Sequence, residues 1–115
     1  MVPVPLHRRR LYERGFNQAM LLCRGIGRHW GLEVAETGLA RIRQTAPQIR
    51  LTPKEREKNV RGAFAATGAG FTGKRVLLVD DVYTTGATVS ECSRILMDAG
   101  AKEVGVLTVA RVVIT

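Results

Sequence analysis

Aromatic residues are scarce in this sequence: one tryptophan, two tyrosines and three phenylalanines make up 5% of its 115 residues. A core must therefore rest on valine, leucine, isoleucine and alanine. Cysteine is nearly absent. Cys23 and Cys92 form no C-x-x-C pair, and each falls in a helical apolar pattern. Both are expected as buried thiols, not as a disulfide or a zinc pair, and a reducing cytoplasm is the expected location. No apolar run approaches the roughly 18 residues of a membrane span, so no membrane partner is expected. The opening MVPVPLHRRR carries its charge after its apolar part, the wrong order for a secretory signal.

Acidic residues are also few, 10 against 18 Lys and Arg, for a net charge of +8. Residues 1–61 hold 13 Lys and Arg against five Glu, whereas residues 62–115 balance at five and five. The whole excess lies in the first half. It is either a solvated basic surface or a face for something anionic: a polyphosphate, a nucleic acid or an acidic partner. The length fits one domain, 1–115, and no repeat, low-complexity tract or linker divides it.

Val2 to Leu6 (VPVPL) reads as a short strand, which its two prolines confine to an edge or a strand end. Residues 7–15 form a basic loop. A helix follows, with Ala19, Leu22, Cys23, Ile26 and Trp30 on one face and Gly31 as a C-terminal cap; Gly25 and Gly27 weaken its second half. LARIR (Leu39 to Arg43) alternates as a strand does. Residues 44–58 are polar, contain two prolines and read as an irregular loop, a length that is usually functional or mobile. Asn59 to Ala66 reads as a strand, and residues 67–73 (TGAGFTG) as a turn cluster. Arg75 to Val79 is a continuous apolar strand, as in a sheet covered on both faces. A helix with Val89, Cys92, Ile95, Leu96 and Ala99 on one face leads to a second buried strand, Val104 to Val109. Strand, helix, strand at this spacing predicts a parallel βαβ unit. The fold class is α/β, a mostly parallel sheet of about four or five strands flanked by helices.

Ligands of open parallel sheets sit beyond the carboxyl ends of the strands. After Val79 the chain reads Asp80, Asp81, Val82, Tyr83, Thr84, Thr85, Gly86, Ala87, Thr88. Adjacent carboxylates repel each other unless a cation or hydroxyls meet them. A ribose with two free hydroxyls would serve, and so would a Mg²⁺ shell. TTGAT offers backbone N–H groups and three hydroxyls at a helix start, where Gly86 permits a turn that a Cβ would resist and the helix terminus favours a phosphate monoester. The bland alternative is a capped helix, since Thr88-Val-Ser-Glu91 fits a capping box. That explains neither the acids nor the threonine–glycine run. VLLVDD also looks like the start of a phosphoacceptor receiver domain, but no second strand-end aspartate follows it. Gly68 to Lys74 matches G-x4-G-K, yet Arg75 replaces the required Ser or Thr and the segment precedes a strand; it is expected to be a hairpin turn. No GxGxxG follows a strand.

VLLVDDVYTTGAT resembles the phosphoribosyl diphosphate signature of type I phosphoribosyltransferases. More narrowly, the chain resembles the phosphoribosyltransferase domain of the ComF-like competence family, through VPVPLHRRR, RGFNQA (Arg14 to Ala19), T-x-x-Q (Thr45 to Gln48), NVRGAF (Asn59 to Phe64) and TVAR (Thr108 to Arg111). The resemblance runs nearly end to end. It implies a type I core in which Asp80 and Asp81 hold the ribose hydroxyls and, directly or through water, Mg²⁺. Thr84, Thr85, Gly86, Ala87 and Thr88 would cradle the 5′-phosphate. The loop with His7, Arg8, Arg9 and Arg14 would face the diphosphate. Segment 44–58 would be a flexible flap from which Gln48, Arg50 and Arg56 reach in.

The implied reaction passes phosphoribosyl from 5-phosphoribosyl 1-diphosphate to a nitrogen nucleophile, with loss of Mg²⁺-bound diphosphate. The protein would contribute positioning, neutralisation of the leaving charge and exclusion of water. An acid stands at the place of Thr84 in the enzymes for 6-oxopurines, so hypoxanthine and guanine are disfavoured. The competence family usually carries an N-terminal zinc module that this sequence does not show, which is expected of a fragment, a shifted start or a minimal domain. Two other functions remain open. One is a non-catalytic regulator that binds phosphoribosyl diphosphate or a nucleotide. The other is a competence protein whose basic residues 7–14 bind nucleic acid during DNA uptake. A homodimer is expected by resemblance alone.

Overall fold

The computed structural model describes residues 1–5, 18–43, 51–67, 70–83 and 86–111. Its centre is the unit expected from the last third of the sequence. Strand β4 (Arg75–Tyr83) runs parallel to β5 (Glu103–Arg111), in register from Arg75↔Glu103 to Tyr83↔Arg111, and helix α3 (Ala87–Asp98) connects them. Strand β1 (Val2–Pro3) joins the other side of β4, again parallel, giving the order β1-β4-β5. Proline at an edge sacrifices no ladder bond, and the Val4 N–H still donates to the Val79 carbonyl at 2.8 Å. The prolines thus mark an edge, as the sequence implied.

The remaining strands, β2 (Leu39–Arg41) and β3 (Phe64–Ala66), pair antiparallel in a sheet of their own. Among the described residues the five strands therefore divide three and two, where one sheet of about four or five was expected. The expected hairpin at residues 68–74 does not form, because β3 and β4 lie in different sheets. Helix α1 (Gln18–Trp30) buries Ala19 and Cys23 and half-buries Leu22 and Ile26, but Trp30 is 60% exposed, so the apolar face does not reach the last turn. Gly31 follows at φ +66°, the left-handed ending expected there. Gly27, read as a weakness, meets a packing need: a Cβ there would stand 2.6 Å from Val34 Cγ2.

Two expectations fail around residue 55. Segment 44–58 is not irregular to its end, because helix α2 spans Pro53–Val60. Thr52 caps it through a reciprocal box in which the Glu55 N–H donates to Thr52 Oγ1 (3.2 Å) and the Thr52 N–H to Glu55 Oε1 (3.0 Å). Pro53 occupies the first turn, where a missing N–H costs nothing. The strand expected from Asn59 starts only at Phe64, since Asn59 and Val60 still belong to α2. Arg43 closes that helix by donating from Nη2 to the carbonyls of Asn59 (2.7 Å) and Arg61 (2.8 Å).

The core is as aromatic-poor as the composition required. Val2, Val60, Leu78, Val79 and Leu96 are at most 2% exposed, and Phe64 and Phe71 are its buried rings. Both cysteines are free and fully buried. Burial pushes the Cys23 thiol up to about 11, and it raises Cys92 further. Because the thiolate is the nucleophile, alkylation of folded protein at pH 8 should run about 100-fold slower than in urea, with Cys92 the slower of the two. A time course of iodoacetamide labelling read by peptide mass checks this. Among the described residues no helix is long and apolar enough to cross a membrane.

Candidate active site

The strand does not stop at Val79. Asp80 pairs with Thr108, and the ladder continues through Val82↔Ala110 and Tyr83↔Arg111, so both acids lie in β4 and not in the turn after it. Asp80 shares strand parity with Val76 and Leu78, which are buried in the core under α3. It is half-buried and engaged with a partner. Three residues past the strand end, Gly86 is buried at φ +83° and begins α3. Acids, turn and helix start thus share the carboxyl edge of the parallel sheet, the place where such sheets bind ligands.

The capping-box alternative does not survive. Gly86 is the N-cap and offers no side-chain bond, and Thr88 already lies inside the helix. Glu91 is committed elsewhere. Its Oε2 accepts from the Gly62 N–H (2.9 Å) and from Arg94 Nη2 (2.7 Å), and its Oε1 accepts from Arg94 Nε (2.9 Å). The Arg94 guanidinium, with the Gly62 N–H behind it, holds this carboxyl below the usual carboxylate range although burial opposes it. The N-cap residue itself, Gly86, thus contributes no side-chain bond to the start of α3.

A groove of about 700 Å³ runs beside this helix start, between Pro53, Glu57, Val60 and Arg61 of the α2 side and Gly86, Ala87, Ser90, Glu91 and Arg94. Its charges, two acids and two arginines, balance. A second cavity, of about 400 Å³, lies at the far end of β4 around Arg75, Val76 and Leu77, away from the acids. Alanine at Gly86 would force a Cβ into the left-handed region at a cost of about 1–2 kcal/mol. Gly86→Ala should show that loss in urea unfolding.

Of the other expected site residues, Arg56 is described, and it stands not on a loop but on the buried side of α2, 5% exposed, with an interaction of its own. Ala87 and Thr88 are half-buried in the first turn of α3. The Asp81 backbone is in β4. His7, Arg8, Arg9, Arg14, Gln48, Arg50, Thr84 and Thr85 lie outside the described residues. Arg41 was not singled out from sequence. Its guanidinium stacks 4.6 Å from the centroid of the Phe64 ring, and its Nε donates to the Pro5 carbonyl at 3.1 Å. In LARIR nothing separates Arg41 from Arg43.

Among the described residues no group of three or more His, Cys, Asp or Glu could hold a metal. Mg²⁺ is commonly held by one or two carboxylates together with substrate phosphates. Asp80 and Asp81, near the carboxyl end of β4, would suit that shared mode and not an all-protein cage.

This strand–turn–helix edge carries the sequence pattern of a known family. The chain belongs to the phosphoribosyl transferase domain family, whose model matches residues 38–113. Within it the chain is ComF-like. It is 38% identical over 113 residues to competence protein F of Haemophilus influenzae, covering 96% of this chain and 49% of that protein. It is 38% identical over 111 residues to the DNA utilization protein YhgH of Escherichia coli K12, covering 96% of this chain and 48% of that one. Competence protein ComFC of Bacillus subtilis is 32% identical over 107 residues, which cover 87% of this chain and 39% of that protein. The chain spans about half the length of the first two of these curated relatives. No solved structure gives a significant match. The α/β architecture, a parallel sheet with helices, is that expected of a type I phosphoribosyltransferase core.

Proposed function

We propose that this domain binds 5-phosphoribosyl 1-diphosphate with Mg²⁺ at the carboxyl edge of β4 and transfers the phosphoribosyl group to a nitrogen nucleophile. The observation that carries this reading is the placement of Asp80 and Asp81 near the carboxyl end of β4, a few residues before the left-handed Gly86 that opens α3. The acids would accept from the ribose hydroxyls, and Mg²⁺, shared with the diphosphate, would neutralise leaving charge. Residues 84–88 would meet the 5′-phosphate with N–H groups and hydroxyls. In the reaction the bond from C1′ to the diphosphate oxygen breaks, a bond from C1′ to nitrogen forms, and the diphosphate departs with the electron pair. His7, Arg8, Arg9 and Arg14, with Gln48 and Arg50, are proposed on the diphosphate side. Two buried free thiols suit a cytoplasmic setting.

The test is calorimetric titration of phosphoribosyl diphosphate with Mg²⁺, followed by turnover with a panel of bases. A dissociation constant on the order of 1 μM to 1 mM supports the site. Binding with no turnover on any base would favour a regulator, and no binding by folded protein rejects both readings.

The relatives' names favour a second reading, DNA handling in competence. The basic excess of residues 1–61 agrees with it. Single-stranded DNA binding that falls steeply with salt and is unchanged by Asp80→Asn would support it.

A further inference from the structure

The two sheets share no backbone ladder, yet at the candidate site one side chain crosses between them. Arg41 ends β2. Its guanidinium lies over the ring of Phe64, the first residue of β3 and only 2% exposed, so the arginine plane is held by a fixed surface. From there Nε reaches the Pro5 carbonyl. The register Pro3↔Val79 continued by two residues sets Pro5 level with Asp81. The arginine therefore grips the backbone just past the outer strand, level with the acids of the central one. The grip matters because β1 has only two paired residues, and Pro5 has no N–H with which to extend the ladder.

We propose that Arg41 is a positioning residue of this site: stacked on Phe64 and bonded to Pro5, it clamps the carboxyl end of β1 against β4 at the level of Asp80 and Asp81. The Cys92 thiol reports the same neighbourhood. Burial raises it most, the Arg41 charge lowers it and the Asp80 charge raises it again, so both charges act on one buried point under α3. A lysine would keep the charge but lose both the planar face and the directed N–H. The geometry thus separates a clamp from a simple counter-charge. The consequence for ligand rests on the function proposed above; the clamp itself does not.

The experiment uses the whole chain as wild type, Arg41→Lys, Arg41→Gln and, as a destabilised control away from the site, Val104→Ala. Amide exchange without ligand is measured first. Exchange at Val4, whose N–H bonds Val79, should speed up at least about tenfold in both Arg41 variants while the β4–β5 amides keep their rates; a tenfold change corresponds to about 1.4 kcal/mol of local opening. Unchanged exchange at Val4 overturns the clamp. Binding of phosphoribosyl diphosphate with Mg²⁺ is measured next. Both Arg41 variants should bind about tenfold or more weakly, and Val104→Ala should bind as wild type does. Full affinity in Arg41→Lys would reduce the role to charge, and a matching loss in Val104→Ala would reduce it to general stability; either overturns positioning. Failure of the wild type to bind would reject the proposed function, and the exchange result alone would then decide the clamp.

Discussion

Asp80→Asn/Asp81→Asn is expected to bind phosphoribosyl diphosphate with Mg²⁺ at least about 100-fold more weakly than the wild type while remaining folded. Each asparagine keeps the shape of the acid but exchanges a charged acceptor for a neutral amide. A hydrogen bond to a charged group contributes about 1.5–3 kcal/mol, and each 1.4 kcal/mol is tenfold in affinity, so two such losses exceed two decades. Removing the negative charge also removes the carboxylates that would share Mg²⁺ with the substrate. Folding should not suffer comparably, because Asp80 is only half-buried and its strand is held by the ladder to β5. Calorimetry with and without Mg²⁺, beside a urea titration, separates the two effects. Wild-type affinity in the double variant would remove the acids from the site.

The second large effect concerns Glu91. Its carboxylate joins the turn at Gly62 to α3, and its side chain is 9% exposed while that of Arg94 is 53% exposed. Solvent screens the arginine, so the pair contributes less than a fully buried one. The loss in Glu91→Gln should be about 1–2 kcal/mol at pH 7, from two charge-assisted partners weakened at one acceptor. The pH dependence gives the sharper check. The folded carboxyl titrates below the usual range, so its contribution is complete above the unfolded value of about 4.3 and disappears as pH falls through the lower, folded value. Wild type and variant should therefore differ at neutral pH and converge in acid. Urea midpoints between pH 7 and pH 3 measure it, and a constant gap would show that shape and not ionisation holds the turn.

Most of the fold and the frame of the site were legible because they depend on local pattern. RVLLV, the apolar stripe from Val89 to Ala99 and VGVLTV are long and unambiguous, and the β4–α3–β5 unit follows from them. The acids and Gly86 were recognisable because strand, turn and helix start supply the chemistry in chain order. What escaped was decided by pairing. Asp80 and Asp81 read as the end of a strand, whereas β5 continues alongside and carries the ladder past them. Thr88 to Glu91 matched a capping box, but Glu91 found better partners in Gly62 across space and in Arg94 one turn on along the same helix. Helix α2 was missed for a different reason. Thr52-Pro53-Lys54-Glu55 carries a start signal, and treating both prolines of segment 44–58 as breakers concealed that the second one opens a helix. Nothing in LARIR could have shown that Arg41 would lie on Phe64 while Arg43 would close α2.

The brevity of β1 has a consequence for the life of the chain as a polymer. Val2 and Leu78 are partners across most of the sequence, so closing that contact sacrifices chain entropy for very few ladder bonds. The β4–α3–β5 unit closes over a far shorter span and can form first. Until β1 arrives, one side of β4 presents unpaired backbone along Val76 to Val79, an uncharged β-rich stretch of the kind that recruits strands from other molecules. Val2 and Pro3, by docking on Leu78 and Val79, cover an edge that would otherwise be open to other strands, and a proline in the covering strand offers no N–H for further pairing.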